Sequence, residues 1–328
     1  MTATDGFDMV GAVSRQPSPL MSATAVLFDG LVDDAAVFPP GSATLSDALS
    51  NHRCLRKSPA SRHLGPLLVP ASAVSALLHL VGDPAEPLNV AVIGTGGDPG
   101  GLLGAAQQLW SHAAITVVGL EIPLAGTSAE TVLGTLRPAM DRHVPIALEV
   151  RRDPVDDVLA ILEHLRLPEG DLVRAKYRTG GVGSSAVPDV TELSTFVATV
   201  VAAQLPAKFT AGLHHAVTAA GQHGVLNLMV AIHTAIAAPG QQVPEVPASR
   251  SPHAVDPALV ELIATDLRRA DPDELKTEIS SWTVQQIGSV RRAFRSFGCC
   301  GVLEPLTEVA ALGLIPPITH DLTALLPR

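Results

Sequence analysis

Ala175-Lys176-Tyr177-Arg178-Thr179-Gly180-Gly181 is followed by a second stretch of nearly the same pattern, Ala207-Lys208-Phe209-Thr210-Ala211-Gly212-Leu213. Each places a lysine inside an apolar, strand-like run. The chain has only four lysines, and the other two, Lys57 and Lys276, lie in polar stretches. Arginine carries most of the positive charge, so a lysine in such a run needs a reason. Lysine is the side chain whose pKa shifts readily on burial and whose amine can attack a carbonyl carbon. The separation of the two stretches equals one strand plus one helix, which predicts neighbouring parallel strands. Strand geometry puts Arg174, Lys176 and Arg178 on one face and Val173, Ala175 and Tyr177 on the other. The apolar set faces covering helices, so the basic set faces the interior. In the same way Lys208, Thr210 and Gly212 point inward, and Ala207, Phe209 and Ala211 outward.

On either side of this pair, strand-like and helix-like runs alternate. Strands are expected at 23–29, 64–69, 88–93, 115–122, 145–150, 172–178 and 206–212. Ala- and Leu-rich segments of helical period lie at 72–80, 101–111, 128–141, 154–165, 190–203 and 224–237. An eighth strand at 296–302 and a closing helix at 305–312 complete the series, with Pro305 suited to a first helical position. Between them, residues 239–295 read as a Pro-rich linker to Pro257 and then two or three short helices. The expected architecture is a (β/α)8 TIM-type barrel spanning 23–328, with a helical insertion at 239–295 and a flexible leader at 1–22. The competing doubly wound sheet normally shows an early glycine fingerprint. Gly94-Thr95-Gly96-Gly97 follows a strand, but Pro99 stands where the third glycine belongs.

Composition agrees. Of 328 residues, 47% are hydrophobic and only 3% aromatic, so the core is built of Ala, Val, Leu and Ile. That suits a parallel sheet buried on both faces. A formal net charge of −10 argues against nucleic-acid or anionic-membrane partners. The three cysteines, Cys54, Cys299 and Cys300, give no disulfide framework, and the start of the chain lacks a basic signal region. A cytoplasmic protein with a small-molecule substrate is expected; a homo-oligomer is compatible with this.

In such a barrel the catalytic residues lie at the C-terminal ends of strands. Asp33 and Asp34 follow the first expected strand, Glu121 sits on the fourth and Glu149 ends the fifth. Two ammonium groups about 6 Å apart repel by about 3 kcal/mol, or roughly two pKa units, at an effective dielectric of about 20, enough to leave one amine substantially neutral at about pH 8. The competing reading pairs each lysine with Glu121 or Glu149 as a structural ion pair. His214 or His215, just after strand 7, could serve as an acid–base or substrate contact. Arg178 with the glycine-rich loop from Gly180 and Gly181 to Ser185 could hold a carboxylate or phosphate. Asn227 and Cys300 are further candidates for substrate contact.

Lys176 followed by Thr179-Gly180, and Lys208 followed by a small residue and Gly212, resemble the strand-6 and strand-7 lysine motifs of deoxyribose-phosphate aldolase and related class I aldolases. The resemblance covers residues 175–213. It implies that Lys176 forms a Schiff base and that Lys208 lowers its pKa, with no metal and no cofactor. The strand-3 acid of that family is missing from 89–93, and its phosphate-gripping Ser-Gly-Gly is replaced by Ala211-Gly212-Leu213-His214-His215. Asp33 and Asp34 could supply the missing acid. The segments 33–40, 176–181, 208–215 and 297–305 also resemble a set of bacterial proteins of unknown activity. The expected function is therefore a lyase acting on a small, anionic carbonyl compound through Lys176. Two alternatives are a divalent-metal lyase or isomerase, using Glu121, Glu149, an Asp of strand 1 and a His with a lysine base, and a non-catalytic binding barrel.

Overall fold

The structure is a computed structural model that describes residues 23–82, 86–165, 172–181, 186–239 and 255–318. The expected leader (1–22), residues 182–185 of the glycine-rich loop and most of the Pro-rich linker (240–254) lie outside the described residues.

Eight parallel strands close into a barrel in sequence order. The first half runs β1 (Val32–Asp34), α1 (Leu45–Arg56), β2 (Leu64–Pro70), α2 (Val74–Leu80), β3 (Leu88–Ile93), α3 (Pro99–Trp110) and β4 (Ile115–Pro123). Two short helices follow, α4 (Ala129–Thr135) and α5 (Arg137–Met140), and then β5 (Ile146–Glu149) and α6 (Val155–His164). The lysine strands come next: β6 (Val173–Arg178), α7 (Val190–Ala202), β7 (Ala207–Thr210) and α8 (Val225–Ala237). Three helices are inserted before the last strand, α9 (Pro257–Arg268), α10 (Pro272–Ser281) and α11 (Val284–Ala293). The chain then closes with β8 (Phe294–Cys299) and α12 (Leu303–Ala311). This is the (β/α)8 architecture with the insertion where it was expected. No helix among the described residues is long and apolar enough to cross a membrane.

One local expectation is corrected, and one helix was not anticipated. The apolar run 23–29 is not the first strand. Residues Ala23–Phe28 form a 3-10 helix whose Leu27 and Phe28 are fully buried, and this helix packs against α11. Gly30 (φ +54°) reverses the chain, and only Val32–Asp34 enters the barrel, paired with β8 and β2. The helix α1, which no apolar period announced, is polar over most of its length. It starts where Thr44 accepts a hydrogen bond from the Asp47 amide, and it buries Ala48, Leu49, His52 and Leu55.

The main apolar layer lies between the outer faces of the strands and the helices. Its few aromatics gather behind the lysine strands. Tyr177 of β6 stacks on Phe196 of α7 at 4.3 Å between ring centroids, Phe196 meets Phe209 of β7 at 5.5 Å, and Phe209 meets Phe294 of β8 at 5.0 Å. Tyr177 and Phe209 occupy the outward positions that alternate with Lys176 and Lys208, so this stack fixes which way the lysines point. Replacing Phe209 by Ala should cost about 3–5 kcal/mol. A urea unfolding midpoint unchanged from wild type would show that the stack does not anchor the strand.

Candidate active site

The inward side chains of β6 and β7 meet carboxylates from β1, β4 and β5. Lys208 donates hydrogen bonds to Asp33 and Glu121, and Ser296 Oγ of β8 donates to Asp33 Oδ2 at 2.8 Å. Glu121 turns its other oxygen toward Lys176 Nζ at 3.0 Å. Lys176 Nζ also lies 3.0 Å from Glu149 Oε2, and Arg178 Nη2 lies 3.0 Å from Glu149 Oε1. The result is an alternating chain of charge, Asp33–Lys208–Glu121–Lys176–Glu149–Arg178, with as many carboxylates as cations. It starts in the closed interior, where Asp33, Glu121, Lys176 and Lys208 are at most 4% exposed. It reaches solvent at Arg178, whose side chain is 52% exposed. The Glu121–Lys208 link crosses the barrel, since β4 and β7 are not neighbours.

Register explains the assembly. Lys176 stands directly beside Lys208 on β6 and β7, and Glu149 beside Lys176 on β5 and β6. Glu121 lies between the two ammonium groups whose mutual repulsion was expected to dominate. Burial alone would lower the pKa of Lys208, but the charges and hydrogen bonds of Asp33 and Glu121 outweigh it and hold the pKa above the ordinary value. Coulomb energy falls as 1/r, so a carboxylate at about 3 Å counters an ammonium at about 6 Å roughly twice over. Burial would raise Glu121, yet its two lysines pull its pKa down to about 2. Glu149 is likewise held low, against its burial, by Lys176 and Arg178. Asp33 moves the other way: burial pushes it up, Lys208 opposes, and the charge of Glu121 adds to the rise. Asp33 is thus the one carboxyl of this charge network whose pKa is raised.

The remaining candidates are placed as follows. Asp34 is on the opposite face of β1 from Asp33. It is buried beside His52 Nδ1 at 3.0 Å and accepts from the Ala36 amide at 3.1 Å, so it does not join Asp33. Asn227 is also away from the lysines. It accepts from the Thr218 amide (2.8 Å) and donates to the carbonyls of Asp266 (2.9 Å) and Arg269 (2.7 Å), which ties the loop before α8 to the insertion. Gly180 packs on Gly212: a Cβ at Gly180 would lie 2.7 Å from the Gly212 Cα, and Gly212 has φ +101°. Thr179 Oγ1 donates to the Ala211 carbonyl at 2.7 Å across the same joint. The two similar stretches therefore share their glycines because their loops touch backbone to backbone. Gly181 is exposed, with φ +151°.

His215 Nδ1 lies 2.9 Å from Glu308 Oε1. His214 Nδ1 lies 2.5 Å from Glu304 Oε2 and 3.6 Å from Cys299 Sγ, and its Nε2 lies 3.8 Å from Cys300 Sγ. Hydrogen bonds to Cys299 and Cys300, with the help of Glu304 and against burial, push the His214 pKa up to about 11. A divalent ion shared by Glu121, Glu149, a strand-1 Asp and a histidine is not the arrangement found. Both glutamates are held by lysines, and both histidines by the glutamates of α12.

The chain matches no family model, and no curated protein or solved structure is significantly similar to it. The barrel is established by the closed strand order, and the buried Lys176 and Lys208 by their positions within it.

Three features were not anticipated. Ser296 supports Asp33 from β8, and inward alternation with Gly298 and Cys300 could have revealed it. Glu304 and Glu308 lie one helical turn apart on α12, and nothing local in sequence links them to the histidines. Finally, a cavity of about 270 Å³ reaches Asp33, Glu121 and Lys208 from the N-terminal side of the strands, with Arg174, Arg291 and Arg295 among its lining residues. Burial and the neighbouring Arg295 bring the Arg291 pKa down to about 10.

Proposed function

We propose that the protein is an aldolase-type lyase that forms an imine between Lys176 and a small, anionic carbonyl compound. The single observation that carries this reading is the position of Lys176: buried near the C-terminal end of β6, between Glu121 and Glu149, one residue pair below the exposed Arg178. Arg178 meets the anionic group of the incoming substrate. Pairing with that anion draws its charge away from Glu149. A carboxylate that loses a cationic neighbour becomes more basic. Glu149 then accepts a proton from Lys176, and the neutral amine attacks the carbonyl carbon. Loss of water gives an iminium. Glu149, having given its proton to the departing water, takes the proton of the hydroxyl on the substrate's β-carbon; that O–H pair forms the carbonyl of the released product while the pair of the Cα–Cβ bond flows into the iminium and leaves an enamine. Reprotonation and hydrolysis return Lys176. Lys208 remains protonated throughout and keeps Glu121 charged, while Asp33 and Ser296 hold Lys208 in place. The strand-6 and strand-7 resemblance to class I aldolases supports Lys176 as the imine-forming lysine, whereas Lys208 serves in this mechanism to hold Glu121 charged.

Borohydride reduction in the presence of short aldehydes and 2-oxo acids should add the mass of a reduced adduct to Lys176. Absence of an adduct across that panel would sink the proposal. A second reading, a non-catalytic binding barrel braced by this charge chain, is favoured by the complete matching of its charges. It predicts no adduct. Arg178→Gln should raise the substrate concentration needed for half-maximal trapping about ten-fold or more, with little change in the trapping plateau. An unchanged concentration dependence would remove Arg178 from substrate binding.

A further inference from the structure

We propose that His214, Cys299 and Glu304 form a zinc site at the C-terminal end of the barrel, separate from the lysine chain. One ligand atom from each of the three lies within 4.8 Å of the others. In tetrahedral zinc, bond lengths of about 2.0 and 2.3 Å to nitrogen and sulfur put those donors about 3.6 Å apart. His214 Nδ1 and Cys299 Sγ are 3.6 Å apart. Glu304 Oε2 now sits 2.5 Å from the same nitrogen. Insertion of an ion needs that contact to open by about 1 Å, and the Glu304 side chain, 59% exposed, is free to move outward.

Three further details suit a built site. Cys299 is 1% exposed and presents its sulfur from the last position of β8, so the softest donor is rigid and shielded. Gly301 leaves space for the carboxylate: a Cβ there would lie 2.4–2.7 Å from the carboxyl atoms of Glu304. Cys300 Sγ lies 3.8 Å from Nε2, on the far edge of the imidazole, where it can accept the Nε2–H and fix the ring for binding through Nδ1. A Cys, His, Glu donor set selects zinc among the common divalent ions, and three protein ligands leave a fourth position for water or a ligand oxygen. The site rests on none of the residues of the imine proposal.

The test uses the full chain, freed of metal by chelator and titrated with Zn2+ and Co2+ under reducing conditions. One equivalent of Co2+ should produce a thiolate-to-metal charge-transfer band and the strong visible bands of tetrahedral cobalt, both displaced by Zn2+. Cys299→Ser should abolish the charge-transfer band, and His214→Asn and Glu304→Gln should each weaken Zn2+ binding at least ten-fold. Cys300→Ser should keep the band and the stoichiometry. Circular dichroism of each metal-free variant checks that it is folded. The assignment fails if folded wild-type protein shows no charge-transfer band, which would leave an ion-paired thiol and imidazole. It also fails if Cys300→Ser loses the band while Cys299→Ser keeps it. Borohydride trapping at Lys176 is measured separately, so failure of either proposal leaves the other standing.

Discussion

Glu121→Gln should be the most destabilising single substitution in the barrel interior, lowering the free energy of unfolding by about 3–5 kcal/mol. Glu121 is the one carboxylate shared by both lysines, and it lies across the barrel axis from β7. A neutral amide of the same shape leaves two buried ammonium groups with a single carboxylate each. Urea denaturation of the variant at neutral pH measures the loss. The pH dependence gives an independent check on its origin. Glu121 has its folded pKa depressed to about 2 from 4.5, so its contribution is present above pH 4.5 and is lost as the pH falls toward 2. Glu149, also depressed, acts in the same direction. Asp33 acts oppositely, because a raised folded pKa makes its protonation on acidification favour the folded state. Wild-type stability should therefore fall below pH 4.5, and the slope should be shallower in Glu121→Gln, which has lost the largest acid-labile group. Equal slopes in the two proteins would mean that Glu121 is not ionised in the fold.

Lys176→Arg should abolish adduct formation and reduce lyase activity at least a thousand-fold, while leaving most of the stability in place. Guanidinium keeps the charge between Glu121 and Glu149 but does not form an imine under these conditions. Lys176→Met removes both, so it should lose activity and stability together. The pair of variants separates chemistry from bracing. If Lys176→Arg retained activity on a substrate that the wild type turns over, the amine would not be the nucleophile. Lys208→Arg provides the complementary case: activity should fall less than in Lys176→Arg, because the charge that holds Glu121 and Asp33 survives.

Much of the barrel could be read from the chain because parallel strands covered on both faces are continuous apolar runs. Strands β2 to β7 begin and end within a few residues of where those runs do. The first strand could not be found that way. It is three residues long and two of them are aspartates, while the more apolar run before it became a buried 3-10 helix. The helix α1 was silent because its buried stripe is four residues in a polar dodecamer. Strand alternation was enough to aim Lys176, Lys208, Arg174 and Arg178 inward. Applied to β1, it also separates Asp33 from Asp34, which point to opposite faces. What alternation does not contain is the partner across the barrel. The ionisation of Lys208 depends on Glu121, three strands away, and the His214 cluster depends on α12. Both are products of closure, and closure is where local pattern ends.

The joint between Gly180 and Gly212 has an evolutionary consequence. Both loops that frame the lysine strands meet there with no side chain between them, so neither residue can vary alone without parting the pair. The atoms that a side chain at either position would meet are backbone, so no side-chain change at the other makes room for it. Divergence of these two loops is thereby confined to residues away from the joint.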